Sequence, residues 1–333
     1  MSAPRLLLIG ASHWHLPLYL EALRRRFEIV GITDRSADRA RAIGEDLGVP
    51  SSDRVAELLD RTRPELAAVF SRHDDMEEVG ALLANRGIPF MLEKPGALGL
   101  PALRRLRDRT RAAGVPVAVP LVHRLAPFAE ALASLGRPRH FSAHYIVGPP
   151  SRYVEAGNDW MLDPEAAGGG ALTNLGVHFV DLFTRLVDSP VDDVRGLIGS
   201  SMHGLGVEDA AGVLLRAANG ATAVIEVGYS YPLAPAKRSA RFAAASDAGF
   251  VDIDADGRVT ITRSDGEVEV SLVNVDSDPL FAPFVDRLAE SLSRGFDTVP
   301  GLDELVTAMT VVARAYANAS GRRDDEAGET WAS

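Results

Sequence analysis

Through the first 120 or so residues, short apolar runs alternate with helical patterns, and that rhythm limits the chain to few folds. RLLLIG, FEIVGITD, ELAAVF, PFMLEKP and VPVAVPLV read as strands. Between them LPLYLEALRRR, SADRARAIGEDLG, DDMEEVGALLANRG and LPALRRLRDRTRAAG have helical patterning, with Ser36 as an N-cap and Gly48 and Gly87 as stops. Such alternation makes βαβ units, so the expected first domain is α/β with a doubly wound parallel sheet. Its first strand ends at Gly10, as a strand does before a phosphate-binding turn. A G-x-G-x-x-G fingerprint, however, needs glycine where Ser12 and His15 stand. Asp34 follows the second strand, 24 residues after Gly10. There a carboxylate can accept hydrogen bonds from an adenosine ribose and repel a 2′-phosphate, which favours NAD; Arg35 beside it leaves room for NADP. A plain helix cap is the other reading of Asp34.

After residue 123 the rhythm changes. LAPFAEALASLG is helical, RHFSAHYIVG strand-like, and a polar loop leads into the helical GGGALTNLGVHFVDLFTRLVD. Strand patterns then follow in succession, with Asn219-Gly220, Asp256-Gly257 and Asp265-Gly266 as hairpin signals, which reads as a mainly antiparallel sheet. Two helices, PLFAPFVDRLAESLSRG and LDELVTAMTVVARAYANAS, close the pattern, and the polar tail GRRDDEAGETWAS is expected to be frayed. The division expected is a dinucleotide-binding domain at 1–122 and an α+β domain for substrate and oligomer contacts at 123–333.

The 333 residues suffice for two cores at about 150 residues per domain. The chain has no cysteine, which removes disulfides, thiolate nucleophiles and cysteine-zinc sites and fits a reducing cytoplasm. The apolar run in MSAPRLLLIG is one strand long, and no segment has the length to span a bilayer, so a soluble cytoplasmic protein is expected. Net charge is −11; residues 1–122 carry 18 Lys/Arg against 16 Asp/Glu, the remainder 17 against 30. With no basic stripe, neither nucleic acid nor a membrane is an expected partner. The eight histidines are read as showing no spacing suited to zinc, so no metal is expected.

Two patterns carry chemistry. FMLEKPGAL places Glu93, Lys94 and Pro95 where a strand ends, the edge of an open α/β sheet at which ligands gather. In GGGALTNLGVHFVD, Asn174 and His178 are four apart and share a helix face. Gly176 between them costs about 1 kcal/mol against alanine, which suggests close approach by another backbone or a ligand.

With HRLAP at 123–127, DWMLDPEAAGGGALTNLGVHFVD at 159–181 and EDAAGVLLRAANGATAVIEV at 208–227, these motifs make the chain resemble the Gfo/Idh/MocA family (glucose–fructose oxidoreductase, inositol dehydrogenase and MocA) over nearly its whole length. The resemblance implies a Rossmann domain followed by an open-faced antiparallel sheet. It also implies hydride transfer between NAD or NADP and a sugar, sugar derivative or cyclitol, and a homodimer or homotetramer formed through the sheet. Carried over by position, Lys94 would bond the reacting hydroxyl and help hold the nicotinamide. His178 would take the hydroxyl proton, as an imidazole titrating near neutrality suits. Asn174 stands where the family commonly has aspartate, so it orients without contributing charge. Gly10, Ala11, Ser12, His13, Trp14, Asp34, Arg35, Ser71, Arg72, Glu93 and Lys94 are the implied cofactor contacts. Arg124, Asp159, Trp160 and Asn174 are the implied substrate contacts, and Asp181 reads as structural. FSRHDDMEEV departs from the family's usual Thr-Pro-Asn turn. A ligand sensor that lost catalysis, or a lyase or hydrolase that oxidises its substrate transiently with held NAD, remain as alternatives.

Overall fold

The computed structural model describes residues 3–232, 238–321 and 331. The first 118 residues run β1 (Arg5–Ile9), α1 (Leu16–Arg26), β2 (Glu28–Thr33), α2 (Ala37–Leu47), β3 (Ser51–Ser52), α3 (Val55–Thr62), β4 (Leu66–Val69), α4 (Met76–Asn85), β5 (Phe90–Leu92), α5 (Leu100–Ala113) and β6 (Val117–Ala118). All neighbouring strands pair in parallel, in the order β3-β2-β1-β4-β5-β6, so the chain reverses direction across the sheet between β1 and β4. Leu6, Leu7 and Leu8 are all fully buried, which is why β1 reads as a continuous apolar run: helices cover both faces of the sheet. Ser36 caps α2 by accepting from the Arg39 amide, and Gly48 ends it in the left-handed conformation. The short β3 and α3 were not foreseen; Ser51 and Ser52 have no strand-forming pattern of their own.

The second half runs α6 (Pro127–Ala133), β7 (His140–Ile146), α7 (Ser151–Glu155), α8 (Pro164–Ala167), α9 (Val177–Val187), β8 (Val191–Gly199), β9 (Ala210–Ala217), β10 (Thr222–Gly228), β11 (Ser239–Ser246), β12 (Gly249–Ile253), β13 (Arg258–Arg263), β14 (Val268–Leu272), α10 (Phe281–Ser291) and α11 (Leu302–Ala319). Its sheet has the order β14-β13-β12-β11-β7-β10-β9-β8 and is antiparallel except where β7 meets β10. One face packs on the helices, and the strands alternate accordingly, with β9 reading exposed, buried, exposed along its length. The other face leaves Leu197, Leu214, Val224, Phe250, Val268, Val270 and Leu272 exposed.

A cut at residue 122 falls inside the 3₁₀ turn Val122–Leu125 that joins the two sheets. Helices α10 and α11 then return to the first half, α10 against α1 and α11 against α5. Arg25 and Arg26 of α1 meet Asp286 of α10 at 2.9 and 2.7 Å. The tail corrects an expectation. Trp331 is not frayed but buried, and its indole N–H donates to the Ala97 carbonyl at 3.0 Å. The rest of the tail beyond Gly321 lies outside the described residues. Among the described residues, no helix is long and apolar enough to cross a membrane.

Candidate active site

Two cavities flank the turn after β1. The larger, about 480 Å³, runs from Gly10, Ser12 and His13 past Asp34, Arg35, Ser71 and Arg72 to Gly157–Trp160. The other, about 280 Å³, is walled by Trp14, His15, Glu93, Lys94, His123, Asn174 and His178, with Tyr145, Arg152, Tyr153, Arg238 and Phe281 from the second half.

Gly10 has φ +74°, and a Cβ there would stand 2.5 Å from the Ser71 amide nitrogen, so only glycine lets β1 turn this close to the end of β4. Beyond it the turn satisfies itself. Five of the six amides from Gly10 to His15 donate within the chain: Gly10 and Ala11 to Thr33 O, Ser12 to Asp34 Oδ2, His13 to Gly10 O and His15 to His13 Nδ1. The Trp14 amide has no partner among the described residues. Asp34 Oδ1 accepts from the Ser36 amide as well, so its carboxylate braces both the turn and the start of α2. Ser36 is the N-cap of α2, so Asp34 supports that helix only through the Ser36 amide.

Residues 157–160 cover this turn from the second half. Asn158 donates to Ser12 O at 3.0 Å, and its Oδ1 accepts from the Trp160 indole. Trp160 packs between His13 and His73, ring centroids 5.9 and 5.0 Å away, with the Arg72 guanidinium 5.8 Å above it. Asp159 and Trp160 thus lie at the nucleotide-side cavity and not beside Lys94. Arg124 lines neither cavity: it grips the buried Asp181 with two hydrogen bonds of 2.8 and 2.6 Å and adds Glu304 at 3.7 Å. Ala11 is buried behind the turn.

Lys94 follows β5, and its ammonium donates to the Asn174 side-chain oxygen and, at 3.2 Å, to the Asn174 carbonyl. Burial drives this amine down to about 8; Glu93 opposes the shift and Arg152 adds to it. Asn174 is fixed in turn, its amide donating to Tyr153 and Tyr229 hydroxyls at 2.7 and 3.0 Å. It sits on a single π-helical turn, Leu172–Gly176, that runs into α9. The glycines before it serve a close approach: a Cβ on Gly170 would lie 2.1 Å from Glu208 O. Glu208 accepts from the Gly170 and Leu172 amides, both at 2.7 Å, and from the Tyr316 hydroxyl. Gly176 differs from expectation. Its nearest neighbour is the Leu172 side-chain end, with neither backbone nor cavity against it.

His178 does share the cavity with Lys94, but it does not titrate near neutrality. Burial, then His123 and Lys94, hold it well below the usual histidine range. Its ring lies 4.5 Å from that of His123, which burial lowers to about 3. His178 Nδ1, both His123 nitrogens and Trp14 Nε1 are buried without partners among the described residues. Buried polar atoms are ordinarily paired, so these four around one cavity call for a partner from within it.

His15, at the third glycine position, is a wall of the same cavity. Its Nδ1 lies 3.1 Å from Glu93 Oε1, which also accepts from the Tyr19 hydroxyl; the Lys94 amide donates to Oε2. Burial works against the Glu93 charge, but His15 and Lys94 outweigh it and hold the carboxylate at about 2. Glu93 is thus fully buried and braces His15, Tyr19 and the Lys94 amide. Sequence reasoning passed over Tyr145, Arg152, Tyr153, Tyr229 and Arg238, which no local spacing connects. It also passed over an H-x-x-x-H interval at His140 and His144. On strand β7 four residues span about 13 Å, and the two rings bond Thr222 and Glu226 instead. No cluster among the described residues could hold a metal ion.

Residues 5–121 match the model of an oxidoreductase family with NAD-binding Rossmann fold, and residues 131–251 match the Gfo/Idh/MocA C-terminal domain. The chain belongs to the Gfo/Idh/MocA family, and its residues 5–121 are that family's NAD-binding domain. It is 31% identical over 216 residues to 1,5-anhydro-D-fructose reductase of Ensifer adhaerens, covering 61% of this chain and 62% of that one. The chain spans 51–62% of the length of the curated relatives it matches. An oxidoreductase domain protein from Kribbella flavida superposes with TM-score 0.83 at 20% identity, covering 97% of this chain and 98% of that one. An Agrobacterium radiobacter oxidoreductase in complex with NAD⁺, L-tartaric acid and magnesium gives 0.82 at 18%, covering 96% and 98%. These two likenesses establish the fold.

The residues present fit the dinucleotide. Asp34 lines the larger cavity, where a ribose hydroxyl can share its oxygens. Arg35, which would greet a 2′-phosphate, is instead drawn to Asp75 at 3.3 Å and Asp74 at 3.6 Å.

Proposed function

We propose that the chain is an NAD-dependent oxidoreductase acting on a secondary alcohol or ketone of a sugar, sugar derivative or cyclitol. Residues 1–122 would bind the dinucleotide, and residues 123–333 would close the substrate cavity. The observation that carries this reading is the meeting of Lys94, Asn174 and His178 in one cavity beside the Gly10 turn. The printed activities of the curated relatives, among them the 1,5-anhydro-D-fructose reductase and D-apiose dehydrogenase, support it. When bound, the nicotinamide supplies the hydride acceptor or donor. Lys94, cationic below about pH 8, polarises the substrate oxygen. His178, neutral at rest, would take the hydroxyl proton on a ring nitrogen as the hydride leaves. Asn174 holds the ammonium in place without neutralising it. Asp34, with Arg35 diverted, favours NAD over NADP. The exposed apolar residues of the open sheet face support a homo-oligomer. The absence of cysteine supports a cytoplasmic setting.

The test is NADH formation over a panel of polyols. Lys94→Ala and His178→Ala should each lower kcat by about 100-fold or more with the fold intact. Turnover unchanged in both would remove the assignment. Activity should fall on the alkaline side as Lys94 loses its proton, near pH 8. One observation favours a sensor instead: five of six turn amides are already satisfied within the chain. Stabilisation by NAD without turnover of any polyol would select that reading.

A further inference from the structure

A guanidinium cannot shed its charge, so one drawn partly out of water is best served by an answering anion. Arg152, on α7, is half-buried in the wall of the cavity that holds Lys94. Its Cζ lies 5.6, 4.8 and 5.7 Å from the ring centroids of Trp14, Tyr153 and Tyr229. It donates one hydrogen bond, Nη2 to the Tyr153 hydroxyl at 2.7 Å, and its Nε is buried with no acceptor. No carboxylate pairs with it among the described residues. The contrast with its neighbours is plain: Arg124 has Asp181 at 2.6 Å, and Arg238 has Asp276 at 2.8 Å. Aromatic faces only partly offset the cost of drawing a cation out of water. The cavity's own anion, Glu93, is fully buried behind His15, Tyr19 and the Lys94 amide. Asp278, the other carboxylate in the wall, faces Arg238 at 3.5 Å. Lys94 and Arg152 are left as two cations on one small cavity, and a guanidinium offers about five N–H donors, most of them unused here.

We propose that Arg152 is the anion-binding residue of this cavity and that the substrate is a monosaccharide-sized polyol bearing an acidic group, a carboxylate or a phosphate. The inference rests on reading the cavity as the substrate site of a dehydrogenase. A volume of about 280 Å³ lies at the small end for ligand pockets and suits one sugar ring with its acid group. The guanidinium fork matches the paired oxygens of either acid, and its place with Lys94 in the same cavity wall would orient the hydroxyl that reacts.

The test is calorimetric titration of the whole protein, with saturating NAD⁺, using D-glucuronate, D-galacturonate and D-glucose 6-phosphate against D-glucose and D-galactose. The acids should bind about tenfold or more tighter than the matched neutral hexoses. Arg152→Gln should erase that preference. Should Arg152→Gln fail to fold, Arg152→Lys decides, since it keeps the charge and loses the fork: a reduced preference supports the assignment. Equal affinity for acid and neutral sugar, or a preference that survives both substitutions, overturns it. Whichever acid class binds tighter names the group. Parallel NADH readings separate the two proposals. Arg152-dependent acid binding without hydride transfer removes the dehydrogenase and leaves the anion site. Turnover of neutral hexoses with no acid preference does the reverse.

Discussion

Asn174→Asp would place a carboxylate where an amide oxygen now meets the Lys94 ammonium. A unit charge about 3 Å from Nζ is worth on the order of 5 kcal/mol at an effective dielectric near 20. Burying the new carboxylate offsets most of that, and opposite charges this close move a titration by about 1–3 units. The amine, pushed from 10.5 to about 8 chiefly by burial, should therefore rise to roughly 9–11. The sign in folding follows. In the parent protein the unfolded chain holds a proton on Lys94 between about pH 8 and 10.5 that the folded chain has released, so this residue makes stability rise with pH over that window. With the new carboxylate in place the native lysine stays charged and that rise shrinks. The stability of the variant minus that of the parent should then fall by roughly 1–3 kcal/mol between about pH 8 and 10.5. Urea unfolding of both proteins at matched pH values measures it, and groups common to both cancel in the difference. A difference that stays flat across the window would refute the argument, because it would mean that Asn174 does not set the field at Lys94.

Gly10→Ala forces a left-handed residue against the Ser71 amide at 2.5 Å and should cost about 2–4 kcal/mol of stability in denaturant titration and abolish the NAD-induced rise in melting temperature. Trp331→Ala empties a buried indole site and loses the bond to Ala97; about 3–5 kcal/mol is expected by the same measurement. Arg124→Ala strands the buried Asp181 carboxylate, whose ionisation burial already opposes, and should cost about 3–5 kcal/mol; Arg124→Ala with Asp181→Leu should recover most of it. A change in KM without loss of stability in Arg124→Ala would restore a substrate role for that residue.

The strand and helix rhythm of the first half was readable because β1, β4 and β5 are buried on both faces and carry no polar interruptions, while Ser36, Gly48 and Gly87 mark helix ends by short-range chemistry. The hairpins of the second sheet were readable from their Asn-Gly and Asp-Gly turns. Lys94, Asn174 and His178 came from motifs, and they do meet in one cavity. What they do there was less readable. The low proton affinity of His178 comes from burial and from His123 and Lys94, which lie 55 and 84 residues earlier in the chain and reach it only through the fold. The same holds for Arg152, whose neighbours Trp14 and Tyr229 come from distant elements and share no spacing with it. His15 looked like a broken glycine. In the structure it is a buried partner of Glu93, a substitution whose meaning depended on a residue 78 positions away.

The buried indole near the chain's end touches both motifs at once. Ala97, which accepts its N–H, follows Lys94 by three residues, and Gly168, whose Cβ position lies 2.9 Å from the indole ring, opens the glycine run that leads to Asn174. A protease that clips upstream of Trp331, or a fused tag that pulls the indole out, would loosen the supports of Lys94 and Asn174 together, from a point that lines neither cavity. Loss of activity on such a clip would look like damage to the catalytic residues while every one of them remained in the chain.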